Sequence, residues 1–266
     1  MRRSLLSSPD PIAVTDSLAV VCTPVAPLNA EPRVSASQTS QALRGAVLDV
    51  LESHGDWLRV RGADAYDGWV HGGYLQRPPA ADGFRPDRIS LGCRVRRADG
   101  RAMVLPLGAA VMADEPRLDG ETVAIGSERD VAFPADATAI IASARRFYEG
   151  ARYEWGGLTP WGADCSGLVQ SVFALHGVAL PRDAWQQALE GSDAGSSIGA
   201  LRAGDLLFFS EREDRRVTHV ALSIGGARIV HLALGRGGWA EDVLGGPDAY
   251  TQRLATNFLF ARRVLG

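Results

Sequence analysis

The chain has 266 residues, is 46% hydrophobic and 22% charged, and carries a formal net charge of −3. This length suits one sizeable domain with smaller companions, and the composition is typical of a globular protein. The lack of a basic excess argues against a nucleic-acid or anionic-membrane partner. The three cysteines, Cys22, Cys93 and Cys165, are far apart, which fits neither a disulfide framework nor a Cys-X-X-Cys metal or redox pair.

The N-terminal segment carries two arginines and only two leucines before its first proline. A secretory signal would need a longer apolar run, so no signal peptide is apparent. No stretch approaches the ~20 apolar residues that a membrane-spanning helix requires. These features predict a cytoplasmic protein that does not insert into a membrane.

Residues 12–80 hold short alternating stretches that predict a small β-barrel. In the segment 57–61, apolar Leu58 and Val60 alternate with two arginines, as in a strand with one solvated face. Residues 78–83, rich in proline and alanine, predict a linker.

Residues 86–133 repeat this pattern in a weaker form. Turn signals at the Asp-Gly pairs 99–100 and 119–120 separate short strand-like stretches. The range therefore predicts a second small all-β unit, and Pro134 marks the next boundary.

Helical patterns come first within residues 135–266, and strand-like patterns follow. Asp136 suits the cap of the first helix and Pro181 the start of the third. Helices followed by antiparallel strands indicate an α+β domain. The helices are predicted over residues 136–148, 165–177 and 181–189, and the strands over residues 205–209, 218–224, 228–232 and 257–261.

Cys165 stands where a loop enters the second predicted helix. The free backbone N–H groups and the positive dipole end of a helix start favour a thiolate, which is the form a nucleophilic cysteine needs. The competing interpretation is a buried small hydrophobic residue. The polar neighbours Asp164 and Ser166 argue against a buried position.

Two histidines, His219 and His231, lie on the next two predicted strands. Each could be a core histidine, but both can also face one site. A two-residue turn would place them on opposite sheet faces, whereas a three-residue loop over 225–227, or a bulge, would place them on the same face. Cysteine, histidine and a third polar group in this chain order are typical of papain-type catalysis.

A metal site is the competing use of the same residue types. Zinc sites usually take two ligands from one short spacing, whereas His219 and His231 are twelve residues apart and Cys165 starts a helix. We therefore expect neither a metal nor a cofactor.

Five segments of the chain together resemble the NlpC-type cell-wall endopeptidases, which are papain-like cysteine peptidases. The similarity extends over about residues 137–264 and is closest to the YkfC-like branch, in which two bacterial SH3-like domains precede the peptidase domain. The resemblance implies SH3-like barrels at residues 12–80 and 86–133 and an α+β papain-like domain at 135–266. The segments are residues 153–157, 164–170, 180–187, 203–209 and 218–221.

The resemblance also implies an activity. Enzymes of this branch are γ-D-glutamyl-L-diamino-acid endopeptidases, which cut peptidoglycan stem peptides that carry a free N-terminal L-Ala. The expected partner is therefore a murein peptide, in cell-wall turnover or recycling.

Roles for single residues follow from the same resemblance. Cys165 would be the nucleophile, His219 the general base and then the acid, and His231 the group that orients His219. The Cys165 backbone N–H and the Tyr153 hydroxyl would hold the oxyanion, and Asp183 would bind the amino end of the substrate. The full expected oxyanion and substrate-binding set is Glu31, Tyr66, Tyr153, Trp155, Asp164, Ser166 and Asp183.

Other interpretations remain open at this stage. Tyr66 could pack on its barrel, Asp183 could only cap the helix after Pro181, and Trp155 could belong to the core. A rival activity is an amidase or acyltransferase on the same papain-like core. The non-enzymatic rival is a cell-wall-binding protein whose SH3-like domains carry the function.

Overall fold

The computed structural model describes residues 17–78 and 86–266. The predicted linker at residues 78–83 lies outside the described residues apart from Pro78, and so does the N-terminal segment 1–16. Within the described ranges, no helix is both long enough and apolar enough to cross a bilayer.

The first β unit is an antiparallel sheet of seven strands within residues 17–78, in the order β3-β2-β6-β5-β4-β1-β7. Leu58 and Val60 are buried and Arg59 and Arg61 are exposed, as their alternation predicts. The strands are β1 Leu18–Val21, β2 Val25–Asn29, β3 Gln38–Leu43, β4 Val47–His54, β5 Trp57–Arg61, β6 Asp67–His71 and β7 Leu75–Gln76.

The second β unit is built on one long strand, which pairs with the other three strands described here. Its small core includes Cys93, Val95 and Leu105. The end of the predicted range is helical rather than extended, because Glu128 and Asp130 suit the first turn of a helix. The elements are β8 Pro86–Arg96, β9 Ala102–Leu105, β10 Ala110–Met112, β11 Arg117–Ala124 and helix α1 Ser127–Ala132.

The two β units pack against each other through a largely buried ion pair. Arg44 of the first unit approaches Glu115 of the second at 2.6 Å, with 12% and 14% of their side chains exposed. Arg44 also donates to the carbonyl oxygen of Ala110 at 3.0 Å. These contacts fix the first unit to the rest of the chain.

The remaining residues form an α+β unit whose first two helices begin where the sequence predicts. The Asp136 side chain caps the first helix by accepting from the backbone N–H of Ala139 at 3.0 Å, and Cys165 begins the second. The elements before the main sheet are α2 Ala137–Tyr148, β12 Leu158–Thr159, β13 Gly162–Ala163, α3 Cys165–Leu175 and α4 Ala184–Gln187.

The third predicted helix is wrong in its extent, because α4 starts three residues after Pro181. Asp183 has extended backbone angles and caps α4. Arg182 is buried against Asp164, so the chain stays extended there to deliver the guanidinium inwards. The burial of Arg182 therefore prevents the helix from starting at Pro181.

An antiparallel sheet with strand order β14-β19-β15-β16-β17-β18 completes the described part of this unit. Leu206, Phe208 and Val220 face α2 and α3, while Leu207, Phe209 and Ala221 face α5. The strands and last helix are β14 Ser192–Gly195, β15 Leu206–Phe209, β16 His219–Gly225, β17 Arg228–Ala233, β18 Gly238–Val243, α5 Ala249–Thr256 and β19 Phe258–Arg263.

The turn between β16 and β17 places both histidines on one face of the sheet. Leu222 pairs with Val230, but Gly225 pairs with Arg228, so the register shifts by one residue near Ile224. This bulge, followed by a two-residue turn, gives the same parity as the predicted three-residue loop.

Candidate active site

Cys165 is the first residue of α3, and Asp164 caps that helix by accepting a hydrogen bond from the backbone N–H of Gly167 at 2.7 Å. The predicted helix start at Cys165 is therefore confirmed. The sulfur lies against the backbone of Val220, the residue that follows His219. Helix α3 thus brings the thiol to the start of β16.

Cys165 is only 6% exposed, so the expectation that its polar neighbours keep it out of the interior is wrong. Asp164 and Ser166 are buried with it because they bond to each other and to Arg182. Burial raises the pKa of the Cys165 thiol to about 12, and Asp164 adds to the rise, while backbone hydrogen bonds lower it. The resting thiol is protonated and needs a base to become a nucleophile.

A buried ion pair fixes the loop before Cys165. Arg182 bonds to both oxygens of Asp164, at 3.0 and 2.7 Å. The same carboxylate accepts from Gly156, Ser166 and Gly167. Asp164 therefore borders the cleft with its acceptor sites occupied, and its contacts position the loop rather than leave an oxygen for substrate.

Arg182 also joins two structural units, a role that the sequence interpretation missed. Its Nε donates to the hydroxyl of Ser40 in β3 at 3.0 Å. Only 1% of the arginine side chain is exposed. Arg182 lies between Pro181 and Asp183, within one of the segments that carry the resemblance. That position was the sequence feature that could have identified it as a site residue.

The two histidines form a direct hydrogen bond, with 2.8 Å between His219 Nε2 and His231 Nδ1. His231 Nε2 lies 3.0 Å from a carboxylate oxygen of Asp242. An ionised carboxylate only accepts, so His231 carries its proton on Nε2 and accepts on Nδ1 from His219. His219 then carries its proton on Nε2, which leaves its Nδ1 as the basic nitrogen.

Asp242 is a site residue that sequence reasoning missed. It lies on β18 opposite Ile229, and two arginine nitrogens of Arg236 bond to its carboxylate, at 3.1 and 2.7 Å. Hydrogen bonds from His231 and Arg236 outweigh burial and lower the pKa of Asp242 to about 2. No spacing signal could have found it, because only the register of β17 with β18 brings it to His231.

A cleft of about 500 Å³ runs from Cys165 to the first β unit. Tyr153, Trp155 and Ser166 line it on the side of the α+β unit, and Tyr66 and Thr39 of the first β unit line the facing wall. The structure therefore brings two units of the chain to one cavity. The other lining residues are Asp164, Asp183, Ala184, Trp185, Arg212, Arg216, Val217 and Thr218.

Tyr66 and Asp183 line this cleft together, and their side chains are close enough to form a hydrogen bond. Burial raises the pKa of Asp183, whereas hydrogen bonds from Trp185 and Tyr66 lower it. Trp185 Nε1 donates to the Asp183 carboxylate at 3.1 Å. Asp183 therefore caps α4 and also presents a carboxyl group in the cleft.

Tyr153 lines the same cleft as Cys165. Burial raises the pKa of the Tyr153 hydroxyl, and nearby Cys165 and Asp164 raise it further. The hydroxyl thus stays protonated and able to donate. Trp155 is 66% exposed, so the interpretation of Trp155 as a core residue is wrong. Within the described residues, Glu31 lies outside the cleft lining, and it pairs with Arg33 at 3.0 Å on the surface.

Glutamine side chains hold the first β unit against the cleft. Gln38 Nε2 donates to the carbonyl oxygen of Trp155 at 3.0 Å, and Gln41 Oε1 accepts from the backbone N–H of Leu158 at 3.0 Å. Farther along the interface, Gln170 donates to Asp64 at 3.0 Å. The wall that carries Tyr66 is therefore fixed relative to Cys165.

We expect His219 to remain neutral far below the usual range of a histidine. Burial, with a smaller effect of His231, lowers its pKa to about 3. The unfolded chain binds this proton near pH 6.5, whereas the folded protein binds it only near pH 3. The low pKa of His219 therefore supports the folded state fully above pH 6.5, and the free energy of unfolding falls as the pH drops from 6.5 towards 3. Histidine ring resonances followed by NMR should show no protonation of His219 between pH 8 and pH 5.

The His219→Gln variant identifies the resonance. An exposed histidine, His54, provides an internal reference in the same spectra. An inflection of the His219 signal near pH 6.5 would contradict a base that stays neutral.

Residues 150–248 match the NlpC/P60 family, and residues 25–76 match the bacterial SH3 domain. The chain is 42% identical over 86 residues to a gamma-D-glutamyl-L-lysine dipeptidyl-peptidase of Bacillus subtilis, covering 32% of this chain and 28% of that protein. It is 25% identical over 228 residues to a protein of the same name from Bacillus cereus, covering 72% and 66%.

A solved structure gives the same fold. An NlpC/P60 family protein from Bacillus cereus superposes with a TM-score of 0.79 at 21% identity, over 94% of this chain and 100% of that one. This likeness confirms the papain-like α+β unit preceded by β-rich units.

The matched segments span less than two thirds of the two Bacillus peptidases, at 28% and 66% of their lengths. The family match includes Cys165, His219, His231 and Asp242, and the SH3 match includes Tyr66. The chain therefore contains an NlpC/P60 domain preceded by a bacterial SH3 domain.

Proposed function

We propose that this protein is a cysteine peptidase that cleaves the bond between the γ-carboxyl of D-Glu and a diamino acid in short murein peptides with a free N-terminal L-Ala. The observation that carries the proposal is the cleft that Cys165, Asp183 of the α+β unit and Tyr66 of the first β unit line together. The names of the two Bacillus relatives, which refer to a γ-D-glutamyl bond, agree with it.

The charges of the cleft suit the acyl half of such a substrate. A free L-Ala offers an ammonium group, for which the Asp183 carboxylate and the Tyr66 hydroxyl are acceptors. A γ-linked D-Glu keeps its α-carboxylate free, and Arg212 and Arg216, which line the cleft, would donate hydrogen bonds to it. Asp164 does not add charge, because Arg182 pairs with it.

The reaction would begin with transfer of the Cys165 proton to Nδ1 of His219. The sulfur attacks the γ-carbonyl carbon, and the oxyanion accepts hydrogen bonds from the Cys165 backbone N–H and the Tyr153 hydroxyl. His219 then protonates the departing amine of the diamino acid, which leaves a thioester on Cys165. Water, activated by the same nitrogen, hydrolyses the thioester and releases L-Ala-D-Glu.

The hydrogen bonds that link Asp242 to His231 and His231 to His219 would hold His219 in the required tautomer. Neutral thiol and neutral imidazole are the resting forms, because burial acts against both charged forms. Thiolate and imidazolium would therefore form together when the Cys165 proton moves to His219, and the fixed donors would stabilise the oxyanion that follows.

Acetylation of the substrate N-terminus should strongly reduce cleavage. An acetylated L-Ala lacks the cation that would pair with Asp183, and a buried polar group left without its partner is costly. We expect kcat/KM for N-acetyl-L-Ala-γ-D-Glu-diaminopimelate to fall at least about 100-fold below that of the free peptide. Product formation followed by chromatography measures both rates.

Two tyrosine variants give the matched control for this experiment. Tyr66→Phe should lower kcat/KM for the free peptide while affecting the acetylated peptide little. Tyr74→Phe changes a tyrosine of the same β unit that lies away from the cleft, and should change neither rate. Equal cleavage of free and acetylated peptides would show that the first β unit does not select substrates with a free amine.

A role in cell-wall turnover and a cytoplasmic location belong to the same proposal. A cleft that selects a free L-Ala amine acts on peptides already released from glycan, since the glycan-linked stem has no such amine. Fractionation of producing cells, with the protein detected by antibody, tests the location.

A further inference from the structure

A second cavity of about 340 Å³ adjoins the active site on the far side of Tyr153. Tyr153 and Thr218 line both cavities, but Cys165 lines only the first and His219 only the second. We refer to the second as the His219-side cavity. Glu211, Tyr250 and Arg253 stand among its walls.

The chemistry assigns this cavity to the leaving group. In cysteine-peptidase catalysis the acyl part of the substrate stays on the sulfur, while the base hands its proton to the departing amine. The departing residue must therefore lie on the histidine side. The acyl part occupies the Cys165 cleft, so the diamino acid faces the His219-side cavity.

A carboxylate and a guanidinium lie together in this cavity. Arg253 Nε is 3.3 Å from Glu211 Oε1, and both side chains are largely exposed, at 61% and 69%. Asn257 also donates to Glu211 Oε1, at 3.3 Å. An exposed ion pair of this kind contributes little to folding stability, so an incoming ligand can replace one contact with another at low cost.

The two candidate diamino acids differ in how they meet such a pair. The side chain of lysine ends in an ammonium group alone. The side chain of diaminopimelate ends in an ammonium and a carboxylate on one carbon. Only diaminopimelate can offer the ammonium to Glu211 and the carboxylate to Arg253 at the same time, and arginine–carboxylate hydrogen bonds are among the stronger ones.

We propose that Arg253 selects diaminopimelate over lysine by binding the distal carboxylate of its side chain in the His219-side cavity, where Glu211 binds the distal ammonium. This inference rests on the proposed γ-D-glutamyl peptidase activity. It goes beyond that activity because it names the preferred diamino acid and the residues that choose it. It also distinguishes this chain from relatives whose names specify lysine.

Three tripeptides test the inference with the full-length protein. They share L-Ala-γ-D-Glu and end in meso-diaminopimelate, in diaminopimelate with its distal carboxylate amidated, or in L-lysine. We expect kcat/KM for free diaminopimelate to exceed that of the other two at least about tenfold, because only it offers Arg253 a carboxylate. The amidated peptide separates the effect of charge from the effect of side-chain length.

Three variants locate the selectivity. Arg253→Gln should bring the diaminopimelate rate down to that of the amidated peptide and leave the lysine rate within about twofold. Glu211→Gln should lower all three rates, because every peptide carries the distal ammonium. Arg228→Gln is the control, since Arg228 is an exposed arginine 3.9 Å from Glu241 and lies outside the cavity.

The outcomes separate this inference from the proposed function. Equal cleavage of the three peptides, or a diaminopimelate preference that survives in Arg253→Gln, would overturn the inference and leave the activity standing. Cleavage of none of the three would instead overturn the proposed activity.

Discussion

Replacement of Cys165 by alanine should reduce peptide cleavage at least about 10⁴-fold while the protein stays folded. The thiol is the nucleophile of the proposed reaction, and no other described cysteine is near it, since Cys93 is in the core of the second β unit and Cys22 is in the first. The change removes one buried sulfur, which costs little compared with loss of a large side chain. Rates of wild type and variant on one substrate, with circular dichroism spectra, give the result.

The other two cysteines provide matched controls. Cys93→Ala changes a cysteine that, like Cys165, is a buried residue, and should leave kcat unchanged. Cys22→Ala removes the half-buried thiol that donates to the carbonyl oxygen of Tyr74, and should do the same. Turnover by Cys165→Ala within about tenfold of the wild-type rate would exclude Cys165 as the nucleophile.

Replacement of Arg182 by methionine should have the largest effect on folding. The substitution keeps a long side chain but leaves the buried Asp164 carboxylate without its partner, and breaking one half of a buried pair costs about 3–5 kcal/mol. The contact with Ser40 of the first β unit is lost at the same time. Urea unfolding followed by tryptophan fluorescence should show a clear shift of the midpoint.

Two further variants make this prediction specific. Arg33→Met removes an exposed pair with Glu31 and should cost no more than about 1 kcal/mol. Addition of Asp164→Asn to Arg182→Met should recover part of the loss, because the buried unpaired charge is then gone. If Arg182→Met unfolds at the wild-type midpoint, the Arg182–Asp164 pair does not support the active-site loop.

Local signals were sufficient to predict that Cys165 begins a helix and that His219 lies on a strand. The loop that precedes Cys165 ends in an aspartate, and that aspartate caps the helix. The parity of His219 and His231 could also be worked out, because strand residues alternate between faces. The choice between opposite and shared faces depended on the turn, and the bulge near Ile224 settled it.

Features that depend on distant pairing could not be predicted. Asp242 reaches His231 only through the register of β17 with β18. Arg182 is buried because three separate segments converge on it, and that burial shortens α4. The prediction that Cys165 is exposed was wrong for the same reason, because its polar neighbours form hydrogen bonds with one another and with Arg182 in the interior.

The two substrate-binding candidates in the first β unit show one correct and one wrong prediction of position. Tyr66 lines the cleft as expected, because β3 is bonded to the loop that carries Trp155. Glu31 lies instead on the surface, where Arg33 two residues later provides a local partner. Sequence position alone did not distinguish a residue facing the cleft from one facing solvent.

Product identification by mass spectrometry tests the central claim most directly. The purified protein is incubated with L-Ala-γ-D-Glu-diaminopimelate, with Cys165→Ala as the control. We expect L-Ala-D-Glu and free diaminopimelate as the two products, formed by wild type alone. Release of L-Ala, or a tripeptide that remains intact under conditions in which the protein is folded, would contradict the account.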